Sequence, residues 1–209
     1  MDVFEYLDTL ISIRRFKEDI GTIDEKIIDR IIESGTRAPS PANTQPWDFI
    51  IVRDGRVKAE LAKLNRECAL IYIGNRKLPM QEDRKRYLLN SLDKMSAVPV
   101  MIVLCVDWRK ADFMKKEGTT RTENQELERL SVYGSIFPAM QNMLIAARAL
   151  NIGCWITMYH LYKLEEFRKV LHIPQEVDPV VMLSLGHPKG RFKTSSRKNF
   201  REMIHYDGW

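Results

Sequence analysis

The chain has 209 residues, of which 44% are hydrophobic and 29% charged, a composition typical of a globular protein rather than of a disordered or low-complexity one. The 33 lysines and arginines are interleaved with 28 aspartates and glutamates, so the net charge of +5 favours a mixed, solvated surface over nucleic-acid binding. The length predicts one domain over residues 1–209.

The amino terminus and the cysteines indicate the compartment. Residues 1–12 are acidic and lack the basic-then-apolar order of a signal peptide. Cys68, Cys105 and Cys154 are odd in number and far apart, which fits reduced thiols better than a disulfide framework. No apolar run reaches membrane-spanning length without a polar interruption. We therefore expect a cytoplasmic protein with no membrane partner.

Two helices are predicted near the amino terminus. The first, over residues 2–12, rests on apolar residues at helical spacing: Val3, Phe4, Leu7, Leu10 and Ile11. The basic segment 12–17 follows, and residues 22–25, Thr-Ile-Asp-Glu, form a predicted capping box for the second helix. A stripe of isoleucines supports that second helix, and Gly35 is placed to end it.

The next segment, residues 38–47, carries three prolines in ten positions and is predicted to be a stiff, irregular loop. Residues 49–52 then predict a strand that ends at an Asp-Gly turn, with a short helix after it. Between residues 65 and 96 we expect a polar surface segment and then a helix from about residue 84 to 95.

The second half of the chain begins with a predicted central strand at residues 100–106, an unbroken apolar run. Residues 108–124 are charged, and we expect a mobile excursion there. A helix up to residue 150 is apolar on nearly all sides, so it must be buried in the core or against a second copy of the chain. Because Pro138 would remove a helical hydrogen bond, this helix either starts near Ser135 or kinks at Pro138.

The remaining elements complete the expected architecture. Residues 154–158 predict a strand, 164–171 a helix and 179–185 a buried strand, followed by a turn at 186–188 and a basic tail with an aromatic end. Strands mixed with helices, without regular alternation and without a GxGxxG motif, predict a mixed α+β layer fold rather than a Rossmann domain.

Several familiar catalytic motifs are absent from the sequence. It contains no GxSxG, P-loop, HExxH or CxxC, and its four histidines lack metal-ligand spacing. What remains is a set of anion-binding and backbone-shaping segments. Such a set suits a protein in which a cofactor carries the reactive atom and the chain orients it.

Four segments in order resemble those of the FMN-dependent nitroreductase superfamily over nearly the whole chain. They are a helix followed by Ser-Ile-Arg-Arg-Phe at 12–16, the loop Ala-Pro-Ser-Pro-Ala-Asn-Thr-Gln-Pro-Trp at 38–47, the helix and strand at 141–156, and Gly-His-Pro at 186–188 with a final Arg-Lys ahead of an apolar tail. Each segment alone is a weak signal, whereas the four in this order are specific.

The resemblance implies a nitroreductase-like fold, mainly an antiparallel sheet flanked by helices, in a homodimer with FMN at the subunit interface. It also implies an NAD(P)H oxidoreductase that reduces nitroaromatic, quinone or similar small acceptors by ping-pong hydride transfer through flavin. The matching positions imply ten flavin-binding residues: Ser12, Ile13, Arg14, Pro39, Ser40, Asn43, Trp155, Ile156, Thr157 and Arg197.

The implied roles divide among these residues by segment. Ser12, Arg14 and Arg197 hold the flavin phosphate and ribityl chain, and arginine forks suit phosphate better than lysine. The loop at 38–47 reaches the flavin of the neighbouring subunit. The backbone of residues 155–157 lies along the isoalloxazine edge, while the Trp155 side chain is expected in the core. Because the flavin carries the chemistry, no catalytic side chain is predicted.

One position departs from the family pattern. The family usually has an arginine two residues before the serine, and here that position is Leu10. One phosphate contact is therefore missing or replaced, with Lys193 and Lys198 as the candidates.

Two alternative functions remain open at this point. The superfamily includes reductive dehalogenases and flavin-destroying enzymes, which use other flavin chemistry. From a different class, the chain could be a flavin- or nucleic-acid-binding module without turnover, for which the basic stretch 191–201 is the sequence argument.

Overall fold

The fold is built on a four-stranded antiparallel sheet. The computed structural model describes residues 2–18, 21–111 and 124–209. The strands are β1 (Trp47–Val52), β2 (Val100–Asp107), β3 (Gly153–Thr157) and β4 (Val177–Gly186), in the spatial order β1-β2-β4-β3. Every residue of the central strand β2 is buried, as its unbroken apolar run predicts. The expected mixed α+β class is confirmed.

Helices cover both faces of this sheet. Alternate residues of β2 point to opposite sides, and both sets are buried. Ile102 and Leu104 face a core formed with α2 (Glu25–Gly35) and α5 (Asn124–Ala149). Met101 and Val103 face a second core. The helices of that second side are α3 (Gly55–Gly74), α4 (Glu82–Asp93) and α6 (Leu164–Leu171).

Both predicted boundaries near the amino terminus are wrong. Helix α1 spans Val3–Asp8 and stops well before residue 12, because the chain turns there to lie against the sheet, where the Ile13 amide donates to the Cys154 carbonyl at 2.8 Å. The residue that caps α2 is Asp24, whose carboxylate accepts from the Lys26 amide at 2.8 Å, so the capping box proposed at residues 22–25 does not form.

The long helix α5 runs unbroken through Pro138, so a start near Ser135 is wrong. One side packs on the sheet through Ile136 and Met143, but Phe137 on another side is 41% exposed. Within one chain, the side of α5 that faces the sheet is therefore buried as expected, and the side that carries Phe137 is not. Neither α5 nor another helix in the described ranges is long and apolar enough to cross a membrane.

The region between β1 and β2 is more helical than predicted. Asp54 caps α3 by accepting from the amides of Arg56 and Val57, so the expected Asp-Gly turn is a helix start. Helix α3 then continues for 20 residues into the stretch expected to be a polar surface segment. The other predicted strands, and the helix at 164–171, are confirmed. The excursion expected at 108–124 lies mostly outside the described residues, which resume at 124.

His160 is a fully buried histidine beside β4. Its Nε2 lies 3.2 Å from the Pro179 carbonyl oxygen, and its ring stacks on Phe167 with centroids 4.3 Å apart. Burial disfavours the imidazolium and lowers the pKa of His160 to about 4. The histidine is therefore neutral in the folded protein at neutral pH.

This burial predicts a pH dependence of stability. The unfolded chain takes up the His160 proton near pH 6.5 and the folded chain near pH 4, so the stability that neutral His160 contributes is complete above pH 6.5 and is lost as the pH falls toward 4. The loss amounts to about 3 kcal/mol over that window. Urea unfolding between pH 4.5 and 7 should show it. The slope of the free energy of unfolding against pH should flatten in His160→Gln but not in His205→Gln. A slope in His160→Gln equal to that of the unaltered protein would contradict the assignment of this pH dependence to His160.

Candidate functional site

The segment 11–17 places the first group of predicted site residues. It crosses the ends of β3 and β4. The Ile13 amide donates to the Cys154 carbonyl, and the Lys17 amide donates to the His187 carbonyl at 2.9 Å. Phe16 also forms an isolated bridge with Pro188. The segment is thus held at the sheet edge at both of its ends.

Two glycines allow this close approach. A Cβ at Gly153 would lie 2.9 Å from Ile13 Cγ2, and a Cβ at Gly186 would lie 2.7 Å from the Phe16 ring. Any other residue at either position would push segment 11–17 away from the sheet. The glycine of the Gly-His-Pro motif therefore has a packing role.

A cleft of about 630 Å³ lies between segment 11–17, α5, β3 and the carboxyl-terminal segment; we call it the main cleft. Its volume falls within the range of small-molecule sites. The cleft is lined by residues from four separate parts of the chain: Leu10, Ile11, Ser12, Arg14, Gln141, Leu144, Arg148, Ile152, Cys154, Ile156, Phe192, Lys193, Thr194, Ser195 and Arg197.

The polar side of the main cleft consists of cations and hydroxyls. Arg14, Arg148, Lys193 and Arg197 line it together with the hydroxyl of Ser12. A fork of arginine donors with neighbouring hydroxyls is the chemistry that binds a phosphate group. Lys193, one of the two candidates to replace the family arginine, lines the cleft, and Lys198 does not.

Arg148 is the cation that is most firmly held. It is 6% exposed, its Nε donates to Thr9 Oγ1 at 2.9 Å, and its guanidinium lies 4.0 Å from the centroid of the Phe192 ring. Its position in the last turn of α5 also suits a positive charge, because the helix dipole is negative there.

The remaining lining of the main cleft is largely apolar. Leu144, Ile152, Cys154 and Ile156 supply it. Burial raises the pKa of the Cys154 thiol to about 12, so this cysteine stays protonated and acts as a small apolar residue. The cleft therefore offers cations for an anion and apolar side chains for a flat ring.

The structure brings together four of the predicted site residues, since Ser12, Arg14, Ile156 and Arg197 all line the main cleft. Trp155 and Thr157 point to the other face of β3, as alternation along a strand requires. The Trp155 side chain is 1% exposed, which confirms its expected place in the core. Its ring lies 5.8 Å from the Arg14 guanidinium carbon.

Thr157 and Ile13 lie close to the main cleft without lining it. Thr157 is buried, and its Oγ1 has no hydrogen-bond partner among the described residues. The Ile13 side chain packs under the sheet edge at Gly153. If either residue contacts a ligand in the main cleft, it does so through its backbone.

Loop 38–47 lies away from the main cleft of its own chain. Its shape is fixed by Ser40 Oγ, which accepts from the Gln45 amide at 3.0 Å, and by the Gln45 side-chain amide, which donates to Asn43 Oδ1 at 3.3 Å. Ala42, Asn43 and Gln45 all have positive φ angles, between 47° and 54°. These contacts define the shape of the loop, and none of Pro39, Ser40 and Asn43 lines the main cleft.

A second cleft of about 350 Å³ adjoins the main one, because Arg14 lines both. We call it the second cleft. It lies between segment 14–18, α4 and the turn after it, with one residue from beyond β4: Arg14, Arg15, Phe16, Lys17, Glu18, Tyr87, Asn90, Ser91, Lys94, Ala97, Val98 and Lys189.

The sequence alone did not identify Arg148 or the α4 side of the second cleft. Arg148 could have been found as the one charged residue between Ile136 and Leu150. Tyr87, Ser91 and Lys94 recur at four- and three-residue steps, which places them on one face of a helix. That pattern could have been read as a polar helix face.

The nitroreductase family profile matches residues 11–187. A protein of Methanothermobacter thermautotrophicus, provisionally named NADH dehydrogenase/NAD(P)H nitroreductase, is 25% identical and covers 100% of this chain and 88% of its own length. FMN reductase (NADPH) of Bacillus subtilis is 28% identical, covering 85% of this chain and 62% of its own length. The solved structure of Vibrio harveyi NADPH:FMN oxidoreductase complexed with NAD+ shares the fold, with a TM-score of 0.75, 17% identity and coverage of 99% and 77%.

The contact between Gly153 and Ile13 predicts a destabilised variant. Gly153→Ala should lower the free energy of unfolding by about 1 to 3 kcal/mol, because the new methyl group meets Ile13. Ile13→Ala should cost less in the Gly153→Ala background than alone. Gly134→Ala is the control, since its Cβ would meet nothing within 4 Å. Urea unfolding of Gly153→Ala, Ile13→Ala, the double variant and Gly134→Ala measures these free energies. Additive effects of Gly153→Ala and Ile13→Ala would contradict the contact between the two residues.

Proposed function

The chain belongs to the nitroreductase family, and we propose that it reduces nitroaromatics, quinones or similar small acceptors with electrons from NADH or NADPH. The family makes it a flavin-dependent oxidoreductase, with FMN as cofactor, and the names of the relatives in Methanothermobacter and Bacillus agree. The observation that carries the proposal is the convergence of Ser12, Arg14 and Arg197 on one cleft beside β3.

The donor set of the main cleft fits FMN. Arg14 and Arg197, with the Ser12 hydroxyl and the neighbouring Lys193, would hold the phosphate and the polar chain next to it. Arg148 is a further cation at this end, and it supplies positive charge where the family arginine is replaced by Leu10. Ile156 and Leu144 would pack against the ring system.

Bound FMN supplies the hydride carrier that these side chains lack. The chain's own contribution is to bind, orient and shield. The fixed charges of Arg14 and Arg197 would hold the anionic phosphate without giving up a proton. The protonated Cys154 thiol adds no competing nucleophile.

We also propose that the working unit is a homodimer in which loop 38–47 of one subunit completes the site of the other. The support is surface that a single chain leaves exposed. Phe137 on α5, Phe4 on α1 and Phe200 in the tail are all well exposed, and Trp209 is fully so. Apolar area of this kind is typical of an interface. The stiff loop, with Ser40 and Asn43, would then contact the partner's flavin.

The function test is FMN binding followed by reduction. The purified protein should bind FMN, and its visible absorption should bleach under anaerobic conditions with NADH or NADPH. Arg14→Gln and Arg197→Gln should each weaken FMN binding at least about tenfold, since a hydrogen bond to a charged group contributes about 1.5 to 3 kcal/mol. Fluorescence quenching of FMN measures this affinity.

Arg37→Gln is the matched control, because Arg37 is an exposed arginine that pairs with Glu33 outside both clefts. Equal loss of FMN in all three variants, or a protein that takes up no FMN, would refute the proposal. The rival flavin chemistries have separate readouts. A dehalogenase would turn over halogenated tyrosine, and a flavin-destroying enzyme would consume reduced FMN in air.

The dimer is tested by mass. Light scattering should return twice 24.5 kDa for the native chain. Phe137→Glu should shift the mass toward the monomer, because a charge on the exposed side of α5 cannot be buried without cost. Leu78→Glu, at a residue that is 75% exposed between α3 and α4, is the control. A monomeric native protein would contradict the proposal.

A further inference from the structure

The second cleft has an excess of positive charge. Five cationic side chains line it, from Arg14, Arg15, Lys17, Lys94 and Lys189, against the single carboxylate of Glu18. That carboxylate lies 3.9 Å from Lys94 Nζ, at the limit of an ion pair. Like charges gathered in a concave site repel one another and focus a positive potential on its interior. The cleft therefore favours an anion.

Several basic residues elsewhere on the surface are paired with carboxylates. Arg66, Arg86, Arg109, Lys110 and Lys163 each lie within 2.8 Å of a carboxylate oxygen. By contrast, Arg14, Arg15, Lys17 and Lys189, four of the five cations of the cleft, have no carboxylate within ion-pair distance among those of residues 2–18, 21–111 and 124–209. Carboxylates of the described residues therefore leave most of the positive charge of this cleft unpaired.

The cations of the second cleft are carried by a fixed backbone. The Lys189 amide donates to the Arg15 carbonyl at 3.0 Å, and the Lys17 amide donates to the His187 carbonyl at 2.9 Å. These two bonds tie the cationic segment to the chain beyond β4. The Arg15 guanidinium carbon lies 5.8 Å from the centroid of the Tyr87 ring on α4, which positions its fork at the cleft wall.

We propose that the second cleft binds the 2′-phosphate of NADPH together with the adjacent ribose and phosphate groups, and so selects NADPH over NADH. This inference rests on the proposed function, since it assigns a donor to the same flavin site. Arginine forks with flanking lysines recognise a phosphate monoester, which carries up to two negative charges. NADH lacks this group and would leave much of the charge of the cleft unpaired.

The position of the second cleft supports a donor rather than a separate effector. Arg14 lines both clefts, so a ligand in the second cleft lies beside the proposed flavin site. The volume of about 350 Å³ is at the lower end for ligand sites and suits part of a dinucleotide, which leaves the nicotinamide outside the cleft to reach the flavin. The exposed side-chain amide of Asn90 adds a neutral hydrogen-bonding group for a ribose.

The test measures binding of a fragment that lacks the nicotinamide. Titration calorimetry at low salt on the FMN-loaded protein should show that 2′,5′-ADP binds at least about tenfold tighter than 5′-AMP. The double variant Arg15→Gln/Lys189→Gln should bring that ratio to within about twofold of one. Lys26→Gln/Lys169→Gln removes the same charge from two exposed lysines outside every described cleft, and it should leave the ratio unchanged.

Three results would overturn the assignment. They are equal affinity for the two nucleotides, an unchanged ratio in Arg15→Gln/Lys189→Gln, and displacement of 2′,5′-ADP by inorganic phosphate at equal concentration, which would reduce the cleft to a general anion site. If Arg15→Gln/Lys189→Gln also lost FMN, the second cleft would be part of the flavin site. That result would overturn the assignment as well. Failure of the proposed function is distinct, because it would show as absence of FMN binding in the unaltered protein.

Discussion

The site depends on one close contact, the passage of segment 11–17 across the glycines at the ends of β3 and β4. The backbone bond from Ile13 to Cys154 needs Gly153 beneath it, and the bridge of Phe16 needs Gly186. With both glycines in place, Ile13 and Phe16 pack against the sheet edge, and Arg14 between them lines both clefts. Arg14 is thereby presented at the boundary of the two clefts.

The same constraint explains why positive charge gathers on this side of the molecule. Segment 11–17 and the chain after β4 both carry basic residues, and the backbone bonds between them hold these residues together. Repulsion among them costs stability in a chain without ligand, and proteins accept such a cost at binding sites. Phosphate groups would offset it. The two proposed anion sites, one in each cleft, would therefore arise from a single structural arrangement.

Local sequence patterns predicted the strands well and the cleft in part. The apolar run of β2 and the order of the family segments were enough to place that strand and to name Ser12, Arg14 and Arg197. The patterns failed where tertiary contacts override them. The helix predicted over residues 2–12 ends at Asp8, and the chain beyond it pairs with the sheet edge instead. At Pro138 the sequence left two alternatives open, and the start near Ser135 is the one that the structure excludes. The second cleft could not be predicted, because Arg15 and Tyr87 are far apart in sequence and meet only through packing.

The surface of a single chain supports the view that the site is completed by a second copy. The main cleft is closed on one side by residues 192–197, and from residue 193 onward this tail is exposed to its end. A tail with aromatic residues gains no burial in this position, and neither does Phe137 on α5. A partner that covered both would also exclude water from the cleft wall and strengthen the charge interactions within it. Dimer formation and cofactor binding would then stabilise each other, since each orders the same tail.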